Sequence, residues 1–282
     1  MKYHEFNTIG IGVAFSPNLK ANIYEASRLA IFFESRLVLI HVGDRSNEKT
    51  EIIKSHLMPF IDRELDYEIL FVPGDPVSVI LDSVERENID LLLLGALQRE
   101  KFLQFYIGTI ARKITRKASC AVLLHINPSV QRVPCKHIVV NGMKSDKSAE
   151  TIASAFYVAY KLGTDRLTIV EEISQDEVAV KVEDDKSLRK SALIRDKLRR
   201  RESNRVKKII QEVPQLFKKG VAVTSQPIFG RRGYSIGHYA ELVRADLLIL
   251  SAPGKSGLRD RIFPHDNEYI LKELPTDVLI LP

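Results

Sequence analysis

The sequence contains no tryptophan and only two cysteines among its 282 residues. Cys120 and Cys135 are too few for a disulfide framework, and no cluster of cysteine and histidine has the spacing of metal ligands. No apolar run approaches the roughly 20 residues of a membrane-spanning helix, and the first residues carry no signal-peptide pattern. These absences predict a protein of the reducing cytoplasm.

Sequence motifs of common catalytic sites are also missing. Neither a GxSxG elbow nor an HExxH motif occurs, and His41 and His125 stand at predicted strand ends, where structural histidines are common. Gly254-Lys255-Ser256-Gly257 lacks the four-residue spacing between the first glycine and the Gly-Lys-Ser of a P-loop. The sequence therefore predicts a protein that is not an enzyme.

One pattern occurs twice along the chain. Residues 90–126 contain an apolar strand that stops at Gly95, a loop, an amphipathic helix that begins at Gly108-Thr109, and a second apolar strand. Residues 246–281 repeat this order, and residues 7–16 and 137–146 are similar starts of the two halves. Since repeats decide the fold class, the chain is predicted to be a tandem repeat of one α/β domain.

The repeat sets the predicted domains and the place of a ligand. The first domain spans residues 1–128, a linker that contains Pro134 spans 129–136, and the second domain spans 137–282. Alternating strands and helices predict doubly wound parallel sheets, which bind ligands beyond the carboxyl ends of their strands. The residues predicted at that edge in the first domain are Ala14, Val42, Gly74 and Gly95.

Both halves resemble universal stress protein domains, whose terminal motif is G-x2-G-x9-G-[ST] before a helix. In the first half Gly95, Gly108 and Thr109 keep this frame, whereas Gln98 takes the place of the middle glycine. In the second half Gly254 keeps the middle place, and the outer places are occupied by Ser251, Pro264 and His265. The resemblance implies two Rossmann-like, adenine-nucleotide-hydrolase-like domains that form a pseudo-dimer within one chain.

The same resemblance implies a site for ATP or AMP. An acid at the end of the first strand often contacts the ligand in this family, but here Ala14 stands in its place. The second half has Asn141-Gly142 there, and Asn141 is predicted to form a turn, with a ribose hydrogen bond as the alternative. The implied first-half residues are Ala14, Val42, Gly74, Gly95, Gln98, Gly108 and Thr109. The second-half residues are Gly254, Lys255 and Ser256.

Three functions remain open at this point. The first is a non-catalytic stress or signalling protein in which adenine-nucleotide binding is weak or lost. The second is a regulatory partner of a membrane transporter or of another protein, and the third is a slow nucleotide hydrolase. The family resemblance also implies that Ala121–Ile126 pairs with Val278–Leu281 inside the chain.

The positive charge of the protein is concentrated in one segment. Lys186 to Lys208 contains eleven Lys or Arg residues and two acids, a net charge of +9, so the rest of the chain carries −3 of the total of +6. A helix over about 186–213 is predicted, with an interrupted apolar stripe of Leu188, Ala192, Ile194, Leu198, Val206 and Ile209. Three interpretations stay open: a solvated, partly projecting helix, a docking surface for a protein partner, or a nucleic-acid or membrane contact, which the absence of aromatic residues disfavours.

The loop from Ala96 to Ile107 is unusually apolar. Its five large apolar side chains favour packing against other parts of the protein, because exposed apolar clusters are uncommon on soluble monomers. A lid over a ligand is the alternative interpretation.

Overall fold

A computed structural model of the chain describes residues 1–98, 105–231, 233–252, 270–271 and 273–282. The contacts divide the chain into two compact units. The first-half unit contains Glu5–Pro134 and Leu271–Pro282, and the second-half unit contains Met1–His4 and Cys135–Ile270. Each unit thus includes a short segment from the opposite end of the chain.

Strands and helices alternate through most of the described chain. The strands are β1 (Thr8–Gly12), β2 (Arg36–Val42), β3 (Tyr67–Val72), β4 (Leu91–Gly95), β5 (Leu97–Gln98), β6 (Phe105–Tyr106), β7 (Ala121–His125), β8 (His137–Asn141), β9 (Arg166–Ser174), β10 (Ala222–Gly230), β11 (Leu247–Ser251) and β12 (Asp277–Leu281). The helices are α1 (Leu19–Phe33), α2 (Asn47–Ile61), α3 (Pro76–Arg86), α4 (Thr109–Lys117), α5 (Ser148–Leu162), α6 (Asp185–Glu212), α7 (Gln215–Lys218) and α8 (Tyr234–Leu242).

The sheet of the first-half unit has the strand order β12-β7-β4-β1-β2-β3. The pairings of β1 with β2 and β4, of β2 with β3, and of β4 with β7 are parallel. In β4, Leu91 to Leu94 are all buried, as expected for a central parallel strand that is covered on both faces. The predicted doubly wound α/β fold is confirmed.

The sheet of the second-half unit has the order β10-β9-β8-β11, and all of these pairings are parallel. This order matches β3-β2-β1-β4 of the first-half unit. The core includes α5, in which ten of the fifteen residues are buried. The repeat predicted from sequence therefore has a structural counterpart.

The C-terminal strand β12 belongs to the first-half unit. It pairs antiparallel with β7, in the register Val278↔Leu124, Leu279↔Leu123 and Ile280↔Val122. The predicted pairing of the two terminal strands is confirmed. The units differ from the predicted domains, 1–128 and 137–282, at these exchanged ends.

The basic segment forms one long helix, α6, close to its predicted bounds. Its start is fixed by a capping box, in which the Asp184 side chain accepts from Ser187 N and the Ser187 hydroxyl accepts from Asp184 N. The helix packs on β9 and β10, and its buried residues are Ser191, Leu198, Glu202 and Val206.

The predicted apolar stripe of α6 is wrong at its N-terminal end. Leu188 is 55% exposed and Ala192 is exposed. At about 100° per residue, Ala192 lies about 120° from Leu198 around the helix, whereas Leu188 lies at the same angle as Val206 and is nevertheless exposed. The buried face of α6 also includes two polar residues, Ser191 and Glu202. A search for apolar residues at helical spacing cannot find them.

The segment predicted as one loop between β4 and α4 contains two short strands. Leu97 pairs with Tyr106 and Gln98 with Phe105, which makes an antiparallel two-residue ladder. Ile107, directly after this ladder, is only 2% exposed, which agrees with the prediction of packing at that position. Among the described residues, no helix is long and apolar enough to cross a membrane.

Candidate functional site

The strand order places a crevice at the carboxyl edge of the first-half sheet. β1 lies between β2 and β4, and the chain leaves β1 toward β2 but later returns on the opposite side as β4. Ligands of doubly wound sheets bind where the order reverses in this way. The crevice therefore lies between the ends of β1 and β4. Ala14 follows β1, and Gly95 is the last residue of β4.

The backbone at Gly95 leaves space for a ligand. A Cβ atom built on this glycine meets no atom within 4 Å, and the residue itself is exposed. Val42 ends β2, and Gly74 follows β3 with a φ of +143°, a conformation that favours glycine. The structure thus brings Ala14, Val42, Gly74 and Gly95 to one edge of the sheet, as the sequence predicts.

The N-terminus of α4 also opens at this edge. Its N-cap residue is Gly108, which has no side chain to cap the helix, and the first helical residue, Thr109, is exposed. The first N–H groups of a helix lack intrahelical acceptors, and with the helix dipole they favour an anion. α4 packs against α3, and the charge of Lys113 on α4 contributes to the lowered pKa of Asp75.

The neighbouring helix α3 is different because its N-terminus already has a carboxylate. The Asp75 side chain accepts from Ser78 N at 3.0 Å, and this hydrogen bond is the main reason why the pKa of Asp75 is lowered. Pro76 fills the first turn, as predicted. Of these two neighbouring helix starts, only that of α4 has no side-chain cap.

An aromatic and basic group beside β1 was not predicted from the sequence. His41 Nδ1 lies 2.9 Å from the carbonyl oxygen of Val13, and its Nε2 lies 3.2 Å from Lys49 Nζ. Since a carbonyl only accepts and an ammonium only donates, Nδ1 carries the proton and Nε2 accepts from Lys49. The ring of Phe15, 39% exposed, packs edge-on against His41 at 5.0 Å. This group gives the end of β1 an apolar face where Ala14 offers no hydrogen bond.

The corresponding edge of the second-half unit is occupied by its own side chains. Glu172, at the end of β9, is 4% exposed and accepts from Gly233 N and Ile236 N, both at 2.8 Å. Its carboxylate therefore stands at the N-terminus of α8. Arg205 of α6 donates to the carbonyl of Gly142, and Lys147 Nζ donates to the carbonyl of Ala252 at 3.1 Å. α8 follows β10 as α3 follows β3, so Glu172 stands at the counterpart of the helix start that Asp75 caps in the first-half unit.

Two further acids are buried in the second-half unit, Glu202 on α6 and Glu171 on β9. Glu202 accepts from Arg201 and Arg205, each at 2.8 Å, and although burial raises its pKa, these two arginines hold it below the ordinary value. Glu171 is 1% exposed and accepts from Ser225 Oγ, but its Oε2 has no hydrogen-bond partner among the described residues. Burial raises the pKa of Glu171.

Asn141 forms the turn that the sequence predicts. Its Oδ1 accepts from Met143 N at 2.9 Å. Gln98 is placed in β5, and the second-half residues Gly254, Lys255 and Ser256 lie outside the described residues.

A half-buried ion pair joins β7 to β12 beside the first-half crevice. His125 Nδ1 donates to Asp277 Oδ2 at 2.5 Å, and Asp277 Oδ1 accepts from Ile126 N at 2.9 Å. Burial alone lowers the pKa of His125, but the hydrogen bond and charge of Asp277, with the charge of Glu25, raise it overall. The carbonyl of His125 accepts from Ala96 N, so this pair is linked directly to the residue after Gly95.

The described residues offer little support for other chemistry. Burial raises the pKa of Cys120 to about 12, which keeps this thiol protonated and unreactive at neutral pH. No group of three or more His, Cys, Asp or Glu that could hold a metal ion occurs in the part of the chain that the structure describes.

The comparisons with known proteins agree with this architecture. The sequence model of the Universal stress protein family matches residues 61–125. A universal stress protein from Archaeoglobus fulgidus DSM 4304 is 15% identical, with 98% of each chain covered and a TM-score of 0.71. A putative universal stress protein from Pseudomonas aeruginosa UCBPP-PA14 is also 15% identical, with 98% of this chain and 93% of its own covered and a TM-score of 0.69.

A shorter match is a universal stress protein in complex with cAMP, 18% identical over 44% of this chain and 99% of its own, with a TM-score of 0.37. No curated protein matches the chain significantly. The fold is thus that of two universal stress domains in one chain. The sequence similarity to the Universal stress protein family itself covers residues 61–125.

Proposed function

We propose that the protein is a non-catalytic stress-response or signalling protein that binds an adenine nucleotide, ATP or AMP, at the carboxyl edge of its first-half sheet. The observation that supports the proposal most is the uncapped N-terminus of α4 beside the open backbone at Gly95. These groups suit a phosphate, because a helix start supplies N–H donors and a glycine lets the ligand approach the backbone.

The nucleoside end of the ligand would lie toward β1 and β2. The exposed ring of Phe15 and the side chain of Val42 offer apolar contacts there, whereas Ala14 offers no hydrogen bond to a ribose or a base. We therefore expect weak binding, which depends on the phosphates and on apolar contacts with the base. In the described part of the second-half unit, Glu172 and Arg205 occupy the corresponding edge of the sheet.

A substitution at Gly95 tests this site. Because a Cβ at this position meets no atom within 4 Å, Gly95→Val should fold normally while its side chain fills the ligand's space. Calorimetric titration with ATP and AMP should show binding to the wild type and a loss of at least about tenfold in the variant, about 1.4 kcal/mol. The matched control is Ser251→Val at the end of β11 in the second-half unit, which should bind as the wild type does.

Protein freshly purified and then denatured supplies a second readout. An adenine nucleotide identified by mass among the released molecules would support the proposal. Absence of any released nucleotide, together with no heat of binding for ATP or AMP, would contradict it. Phosphate release from ATP that is lost in Gly95→Val would instead favour the slow hydrolase.

A further inference from the structure

The cations of α6 fall into two sets that differ in their contacts. One set contacts the protein itself: Arg201 binds Glu177 and Glu202, and Arg205 binds Glu202 and Gly142. Arg195 and Arg199 lie over the ring of Phe229, at 5.0 and 5.3 Å from its centre. Arg200 pairs with Asp196 at 2.9 Å. Every member of this set is an arginine.

The other set forms a continuous stripe on the exposed face of the helix. At about 100° per residue its members lie within an arc of about 100°, opposite the buried line of Leu198, Glu202 and Val206. All are exposed, and none of their side chains has an ion pair or hydrogen bond to another described residue. The members of this basic stripe are Lys186, Arg189, Lys190, Lys197, Lys207 and Lys208.

A leucine interrupts the basic stripe near its middle. Leu193 is 72% exposed and lies within the same arc, between Lys190 and Lys197. The stripe is about 33 Å long, at 1.5 Å per residue over 22 steps. A face with an apolar centre and charged surroundings has the anatomy of a protein interface.

We propose that the basic stripe of α6 is a docking surface for an acidic, amphipathic segment of a partner protein. Charge complementarity selects an acidic partner, because six unpaired cations stand on one face without a single unpaired acid between them. Leu193 selects a partner with apolar side chains among its acids. The proposal does not depend on nucleotide binding by the first-half unit.

The composition of the stripe disfavours nucleic acid and membrane as occupants. Arginine is the side chain that binds phosphate and guanine with two parallel hydrogen bonds, yet five of the six cations in the stripe are lysines. α6 has no aromatic residue on which a base could stack. An interfacial membrane helix needs a broad apolar face, whereas this face has Leu193 alone.

The test uses the full-length protein and two labelled synthetic peptides, one of repeated Glu-Glu-Leu-Glu and one of repeated Glu-Glu-Ser-Glu. Fluorescence anisotropy should show tighter binding of the leucine peptide. The double variant Lys190→Glu with Lys197→Glu should weaken binding about tenfold or more, since each reversal replaces an attraction by a repulsion of up to about 1 kcal/mol. The control is Lys144→Glu with Lys219→Glu, which changes the net charge equally at exposed positions of the same unit and should leave binding within about twofold.

Leu193→Ala separates a specific surface from general electrostatic attraction. This substitution should weaken binding of the leucine peptide about fivefold and leave binding of the serine peptide unchanged. The reason is that only the leucine peptide buries apolar surface on Leu193. The proposal is overturned if both peptides respond alike to this change or if neither binds. It is also overturned if a DNA duplex or phosphatidylserine vesicles bind more tightly than the leucine peptide at the same salt concentration.

Discussion

The pair of His125 and Asp277 gives the first-half unit a defined dependence on pH. Glu25 of α1 lies 3.9 Å from His125 Nε2, and Arg28 of the same helix contributes the opposing charge. Since the pKa of His125 is raised on folding, the native state binds this proton more tightly than the unfolded chain. The stabilisation is therefore complete below the ordinary pKa of about 6.5 and is lost as the pH rises through the folded-state pKa.

The variant Asp277→Asn tests whether this stabilisation is lost as the pH rises. The variant keeps an acceptor for Ile126 N but loses the charge that holds the proton on His125. We expect a loss of about 1.5–3 kcal/mol in the free energy of unfolding below pH 6.5, the usual range for hydrogen bonds to charged groups. Urea unfolding at a series of pH values should show this difference shrinking toward alkaline pH. A difference that grows with pH would show that His125 is not the group responsible.

Two adjacent buried glutamates should lose different amounts of stability on the same substitution. In Glu172→Gln, one of the two backbone N–H groups at the start of α8 loses its acceptor, so we expect a cost of about 2 kcal/mol. Glu171→Gln removes a carboxylate whose charged form is disfavoured by burial, and at pH 7 it should cost less than about 1 kcal/mol. Denaturant unfolding of both variants measures the contrast, and equal losses would contradict it.

The sequence could not reveal these residue-scale contacts. Glu172 is separated from its hydrogen-bond donors, Gly233 N and Ile236 N, by 61 and 64 positions, and nothing in the local pattern around β9 indicates a buried acid. By contrast, the turn at Asn141 is a local interaction over two residues, and the sequence predicts it. Local hydrogen bonds can be predicted from sequence, whereas buried polar pairs between distant elements cannot.

At the scale of elements, the strongest patterns were the most predictive. The bounds of α6 follow from an acidic N-terminal start and a long run of helix-forming residues, whose packing side was only partly predicted. The two motif glycines, Gly95 and Gly108, correctly predict the end of β4 and the start of α4. The short ladder of β5 and β6 was missed because two-residue strands have no periodic pattern.

The strand β12 is predicted to be essential for the first-half unit. Val278, Leu279, Ile280 and Leu281 are each at most 4% exposed. Their burial contributes roughly 6–12 kcal/mol by the usual value for each side chain, comparable with the whole stability of a domain, about 5–15 kcal/mol. A fragment of residues 1–134 should therefore show no cooperative unfolding transition when alone.

A synthetic peptide of residues 271–282 should restore that transition when it is added to the fragment. The control is a peptide of the same composition in scrambled order, which should have no effect. Calorimetry and circular dichroism measure both outcomes. A fragment that unfolds cooperatively without the peptide would show that β7 does not need β12 as its neighbour.

At the scale of the whole chain, the tandem repeat was predicted because its signal is long and occurs twice. The exchange of Met1–His4 and Leu271–Pro282 between the units was only partly predicted, since the family resemblance implied pairing of the terminal strands. The two halves share a strand order but have diverged at their carboxyl edges. Among the described residues, Gly95 and α4 leave the first edge open, whereas Glu172 and Arg205 occupy part of the second.

The most direct test of this asymmetry is an amide NMR titration of the labelled full-length protein with ATP. We expect chemical-shift changes at the ends of β1 and β4 and in the first turn of α4, around Ala14, Gly95 and Thr109, and none around Gly142 or Ile236. Changes confined to the second-half edge, or no changes at millimolar ATP, would contradict the account.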